Sequence, residues 1–301
     1  MTDLLGALPG AVAQGIIWGI MAIGVYITYK VLDIADLTVD GSICTGAAVC
    51  TMMMLSGQSP WLSVFCAVLA GIAAGSITGF LHVLLGIPAI LAGILTQMVL
   101  WSVNLKILGK ANQAISSRSN PVILSQMDID SALIVLAIFA VVTVAVLYVY
   151  FGTEIGCAIR ATGSNPVMSR AQGINTGLTK ILGLAISNGI VALSGALLCQ
   201  YQGYTDINMG RGAVVIGLAA VVIGEVLAKR ISTNFAVRLL GVIAGAIVYY
   251  VVYQIIIFSG FDTDLLKMFS AIVVALFLGI PYLRKKLRAA RSVSKRGAQN
   301  A

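Results

Sequence analysis

Apolar stretches close to twenty residues long, separated by short polar breaks, recur along almost the whole of this 301-residue chain. A bilayer core offers no partner to an unpaired backbone N–H or C=O, so continuous apolar runs of that length are read as spanning helices, each satisfying its own backbone. A span needs about 20 mostly apolar residues. Nine stretches qualify: Leu8 to Ile27, Thr38 to Leu55, Trp61 to Leu85, Ile87 to Leu108, Ala132 to Phe151, Leu178 to Leu198, Gly212 to Leu227, Phe235 to Phe258 and Leu265 to Tyr282. The expected fold is all-α, a polytopic membrane helical bundle of about nine transmembrane helices. Residues 1–282 form its transmembrane domain and 283–301 a basic cytoplasmic tail. The break at Gly86 is so short that Ile87 to Leu108 could instead be bent or re-entrant, giving eight or ten spans.

Charged residues make up 10% of the chain, against about a quarter in soluble domains. With 59% hydrophobic residues and a mean hydropathy of +1.00, a soluble globular fold is excluded. The net charge of +8 is concentrated after Pro281, in Arg284, Lys285, Lys286, Arg288, Arg291, Lys295 and Arg296. A basic cluster beside a last span is a topology signal that meets anionic lipid, and no nucleic acid partner is expected. The five cysteines show no paired spacing, so neither a disulfide framework nor a metal site is expected. Met1 to Gly24 carries Asp3 and no basic residue, unlike a cleaved leader, and is read as a retained first span. With the loop at 152–175 and the tail placed in the cytoplasm, 14 Lys and Arg residues lie inside and 5 outside. That bias puts the N-terminus outside and the C-terminus in the cytoplasm.

The longest ordered-looking polar island is Gly152 to Asn175. Its spacing predicts two short helices in series. In the first, Thr153 caps, Ile155, Ala158 and Ile159 form an apolar stripe, and Gly163 supplies a left-handed stop. In the second, Ser164 or Asn165 caps, Pro166 takes the first helical position and Gly173 terminates. Helices this short need a surface to pack on, and Arg160 and Arg170 leave the exposed side basic. A plain charged loop is the simpler alternative.

The run Ala158-Ile159-Arg160-Ala161-x-Gly163-x-Asn165-Pro166, followed by Ala171-x-Gly173-Ile174-Asn175, resembles the cytoplasmic coupling loop of ABC importer permeases of the branched-chain amino acid and ribose type. The leader Ala35-Asp36-Leu37-Thr38-Val39-Asp40-Gly41 is similar to the amino-acid subgroup that handles aromatic or related amino acids. The resemblance implies that Arg160, Gly163, Asn165, Pro166, Arg170 and Gly173 couple the pore to a cytoplasmic ATP-binding subunit. It also implies a second permease copy, an extracellular or periplasmic substrate-binding protein, and a bacterial inner-membrane location. No cofactor is expected on this chain; ATP and magnesium would sit on the partner subunit.

Two of the spans are short and open on glycine after a polar lead, one at Asp36 to Ser42 and the other at Asp206 to Gly212. By the orientation above they enter from opposite sides, which fits an inverted repeat whose interrupted helices meet near a translocation pathway. Polar residues in the spans are the pathway candidates: Thr38, Asp40, Ser42, Thr96, Asn104, Asn188 and Tyr253. Each has a structural alternative. Asp40 could cap its own helix, and the hydroxyls and amides could hold helices together. Glu225 stands four residues before Lys229, as an ion pair would, and the single histidine, His82, reads as a packed or interfacial residue rather than a proton site. The loops 109–130 and 204–211 are external connectors or a docking surface for an outside partner.

The chain has no phosphate-cradling GxxxxGK, HExxH or GxSxG signature. The expectation is a transport subunit moving a small solute, amino-acid-like by resemblance and next a nucleoside or sugar. The alternative is a stand-alone ion-coupled transporter or channel, which calls for ionisable residues deep in the bilayer.

Overall fold

A computed structural model describes residues 2–115, 121–229 and 234–258, with isolated positions at 268, 272, 275 and 279. The chain is an all-α polytopic membrane bundle. Its described helices are α1 (Thr2–Tyr26), continued by a π-helical turn (Ile27–Val31), α2 (Val39–Leu55), α3 (Pro60–Val83), α4 (Ala89–Leu108), α5 (Ile129–Gly152), α6 (Glu154–Ser164), α7 (Pro166–Ala171), α8 (Thr176–Gln202), α9 (Ala213–Ala228) and α10 (Phe235–Phe258). A two-stranded antiparallel ribbon pairs β1 (Asn112–Ala114) with β2 (Tyr204–Asp206).

Among the described residues six helices are long and apolar enough to cross a bilayer: α1 with its π turn, α3, α4, α5, α8 and α10. The helices α2 and α9 are equally apolar but have only 17 and 16 residues. At 1.5 Å per residue each covers about 25 Å, short of a hydrocarbon core. The structure thus describes six full-length spans and two short ones, where nine were expected. The expected ninth, Leu265 to Tyr282, apart from the isolated positions, and the basic tail fall outside the described residues. Helix α4 is continuous from Ala89 to Leu108.

The buried share of each span separates centre from rim. Helices α1 and α8 are 83% and 78% buried, while α3, α4, α5 and α10 are at most 39% buried. The rim helices keep their outer faces apolar, as lipid contact requires; Trp61, Phe65, Ile134 and Val149 are all exposed.

Helix α8 acts as a ruler for depth. Leu32 packs on Gly183, Ser42 and Asp36 both bond to Asn188, Gly46 lies against Ala192 and Cys50 bonds to the Ala196 carbonyl. Helix α2 therefore runs parallel to α8 and starts opposite its middle. The lead at 32–38 climbs to that level without regular helical structure.

Helix α9 does the reverse. Its lead descends from β2, where Thr205 bonds to Thr51, past Cys44, which donates to the Ile207 carbonyl and accepts from Gly210 N, to Gly212 beside Asp40. From there α9 runs alongside α1, with Gly217 against Val25, and ends where Glu225 pairs with Lys30 at 3.4 Å and with Lys229 at 3.5 Å. Two short helices of opposite direction thus begin at one level inside the bundle.

Candidate functional site

The N-termini of α2 and α9 are joined by a single carboxylate. Asp40 Oδ2 accepts from Gly212 N and Oδ1 from Val214 N, both at 2.9 Å. Asp40 is therefore a cap, as one sequence reading had it, but of the wrong helix for that reading. Helix α2 starts from Thr38 with no side-chain cap, and Asp40 satisfies the first turn of α9 instead. Gly212, at φ +86°, takes the left-handed conformation that brings the descending chain into α9.

Thr38, Ser42 and Asn188 belong to one buried network. Ser42 donates to Asn188 Oδ1 at 2.6 Å, and Asn188 Nδ2 donates to Asp36 Oδ2 at 2.7 Å and to the Leu184 carbonyl at 2.9 Å. Asp36 Oδ1 accepts from Thr38 N at 2.8 Å, and the Thr38 and Thr78 hydroxyls share a 2.8 Å bond. These groups tie the first lead to α3 and α8. Asn188, with three bonds, is the hub, and Asp36, absent from the pathway candidates, takes two. Asp36 stands in the polar leader rather than inside an apolar run, so a scan of the spans does not reach it.

Thr96 is buried and donates to its own helix at Ala92. Tyr253 lies apart, in a ring cluster with Tyr249 and Tyr250 on α10, where Tyr250 also meets Trp18 of α1. Asn104 is 1% exposed; its Nδ2 reaches the Gly41 carbonyl at 3.4 Å and its Oδ1 has no partner. Of the seven pathway candidates, Asp40 and Asn104 line a common cavity of about 480 Å³ between α2, α4 and the loop before α9. Gln97, Trp101, Ser102 and Arg211 line it too. Nothing in the sequence spacing places Gln97 or Arg211 beside Asp40.

The polar island folds as two helices. Thr153 Oγ1 accepts from Gly156 N, and Asn165 Oδ1 accepts from Met168 N at 3.0 Å with Pro166 in the first turn. Gly173 has φ +80° and closes the second helix. Gly163 differs from expectation: it is not left-handed, and α6 runs through it to Ser164. A Cβ there would meet the Val31 carbonyl oxygen and Leu32, so the glycine lets α6 cross the end of the π turn at backbone contact.

The expected apolar stripe of α6 divides. Ile159 is buried, while Ile155 is exposed together with Val167 and Met168 of α7. Arg170 Nε donates to Thr176 Oγ1 at 2.7 Å, bracing α7 against α8, and the Arg160 guanidinium lies 6.0 Å from the centre of the Phe235 ring. At the same end His82 Nδ1 lies 2.8 Å from the Ile87 carbonyl.

On the opposite end, the loop after α4 is more than a connector. Ile115 N and Gln126 N bond to the carbonyls of Gly203 and Tyr201, and Leu124 is buried.

A family model described as "Branched-chain amino acid transport system / permease component" matches residues 8–280. A Clostridioides difficile protein named tyrosine transport system permease protein is 37% identical over 285 residues, covering 94% of each chain. An uncharacterized protein of Rickettsia prowazekii is 33% identical over 284 residues, 94% of this chain and 99% of that one. The autoinducer 2 import system permease protein of Salmonella typhi is 27% identical over 213 residues, 69% of this chain and 59% of its own. No solved structure matches.

Proposed function

The chain belongs to the branched-chain amino acid type of ABC transporter permeases, as an integral membrane transport subunit, and from that premise we propose that it imports an amino acid with an aromatic side chain. The name of the Clostridioides difficile relative, a tyrosine permease, supports that solute. In this reading the protein sits in a bacterial inner membrane, with nine spans, its N-terminus outside and its C-terminus in the cytoplasm. It works with a second permease copy, an external substrate-binding protein and a cytoplasmic ATP-binding subunit that holds ATP and magnesium.

The observation that carries the reading is the seating of α6 and α7. The pair presents exposed Ile155, Val167 and Met168 to a partner, and through Gly163 its backbone rests on Val31 and Leu32. From there the chain passes a left-handed Asp33 (φ 55°) into the lead held by Asp36 and Asn188, and then into α2. Movement of α6 when the ATP-binding subunits close would be delivered to the first lead, and through Asp40 to α9. The opposed directions of α2 and α9 support the inverted repeat, with the translocation path where the two helices begin.

The test is co-purification of the complex from its native membrane. The intact chain should bring down an ATP-hydrolysing subunit. Val167→Asp with Met168→Asp, which places two charges on an exposed apolar surface, should lose it while the permease remains folded. Absence of an ATPase from the intact complex would overturn the reading in favour of ion coupling.

A further inference from the structure

The cavity between α2, α4 and the loop before α9 has the chemistry of a receptor for a zwitterion with a ring. Its volume, about 480 Å³, lies in the range of small-molecule pockets. At one edge the first turns of α2 and α9 converge, and the positive ends of both helix dipoles face this level. Asp40 answers part of that field, but its two oxygens are already engaged by Gly212 N and Val214 N. The Arg211 guanidinium adds a full positive charge, and no ion pair occupies it among the described residues. A carboxylate suits that edge.

The opposite requirement comes from Asn104. Its Oδ1 is buried and unpartnered, one of two such side-chain atoms among the described residues, and Asn104 lines this cavity. A buried acceptor without a donor costs about 1–3 kcal/mol, and no protein group among the described residues supplies one here. An ammonium group supplies one, and the Asp40 carboxylate beside it favours a positive charge. Trp101 completes the lining. It is 44% exposed and has no aromatic neighbour among the described residues, so its ring is available to stack.

We propose that this cavity is a solute site inside the permease, taking the carboxylate of an aromatic α-amino acid at Arg211, its ammonium at Asn104 and Asp40, and its ring against Trp101. The site rests on the reading of the chain as an amino-acid transport subunit and assigns that reading a place in the fold. It gives the permease a selectivity of its own, beyond what an external binding protein delivers.

The test uses Trp101 as its reporter. The chain has three tryptophans, and Trp18→Phe with Trp61→Phe leaves Trp101 as the only one. The full-length permease, in lipid nanodiscs, is titrated with L-phenylalanine, with phenethylamine, which lacks the carboxylate, and with 3-phenylpropionate, which lacks the ammonium. A saturable change in Trp101 emission is expected with L-phenylalanine. Binding should weaken about tenfold when either charge is missing from the ligand, as the loss of one charge-assisted hydrogen bond implies.

Arg211→Gln should weaken L-phenylalanine binding by a similar factor and abolish the penalty for phenethylamine; Arg211 is exposed, so the fold is not at stake. Asn104→Leu should selectively relieve the penalty for 3-phenylpropionate. A silent Trp101, or equal responses to all three compounds, overturns the site. Uptake of aromatic amino acids by the assembled transporter alongside a silent Trp101 overturns the site and leaves the transport reading standing. Absence of amino-acid uptake overturns both.

Discussion

The two short segments solve the same problem by different means. Each must carry an irregular backbone to the middle of the bundle and start a helix there. The first lead, 32–38, is held by side chains: Asp36, Asn188, Ser42, Thr38 and Thr78 bond to one another across three elements, and all are buried. The second, 203–212, is held mainly through backbone, with one buried side-chain bond between Thr205 and Thr51. Gly210 sits against the Asp40 carbonyl, Gly212 turns left-handed, and the side chains that receive the backbone, Asp40 and Cys44, belong to the first segment. A lead with its own satisfied polar network is a fixed part. The second lead is fastened mainly by backbone hydrogen bonds, among them the pairing of β2 with β1 and Ile207 N to the Ala111 carbonyl, so its hold depends on backbone position more than on a side-chain network.

Breaking the network should have the largest effect. Asn188→Leu strands both the Asp36 carboxyl and the Ser42 hydroxyl in the interior, with an expected loss of about 3 kcal/mol or more. It would be read as a lower unfolding temperature of the purified permease. Asp36→Leu combined with Asn188→Leu should recover part of the loss, since removing both partners leaves fewer orphaned groups.

Next comes the backbone seam of the second segment. Gly210→Val forces a side chain into the Asp40 carbonyl and should cost roughly 1–3 kcal/mol, with faster amide exchange at 207–214. Were Gly210→Val to match Asn188→Leu, the distinction between a lead that depends on its side-chain network and one held by backbone would fail.

Asp40→Ala removes the cap of α9 and should cost about 1 kcal/mol. Hydrogen exchange should localise that loss to Gly212 and Val214 rather than to α2, which distinguishes a cap of α9 from a cap of α2. Smallest of all, Lys30→Ala breaks an ion pair whose lysine is 45% exposed, and a change under about 0.5 kcal/mol is expected in the same melts.

Much of the architecture was legible. Eight of the apolar stretches coincide with described helices, and the two short ones were distinguishable by their polar leads and glycines. The caps at Thr153 and Asn165 and the stop at Gly173 follow from residue type within a few positions. The candidate site was less legible. Asp40 and Asn104 were among the polar residues picked out, and so were Ser42 and Asn188, which bond to each other away from the cavity lining, and Tyr253, which lies in a ring cluster. Polarity within a span identifies a residue that needs a partner but not who the partner is. Gly163 was misread for a related reason: a glycine near a helix end is locally indistinguishable from a stop, and only the crossing of Val31 and Leu32 accounts for it.

The sequence by itself determined that this chain is a membrane bundle of helices carrying a two-helix island between α5 and α8. Hydropathy, capping and left-handed glycines act over windows of a few to twenty residues. Only the tertiary structure decided that α2 and α9 begin face to face, that Asp40 serves a helix some 170 positions away, and that Asn104 is left with an unanswered oxygen at a cavity. Those facts depend on which helices lie side by side, and that is settled by the packing of small residues and buried hydrogen bonds between distant segments, for which no local window holds the information.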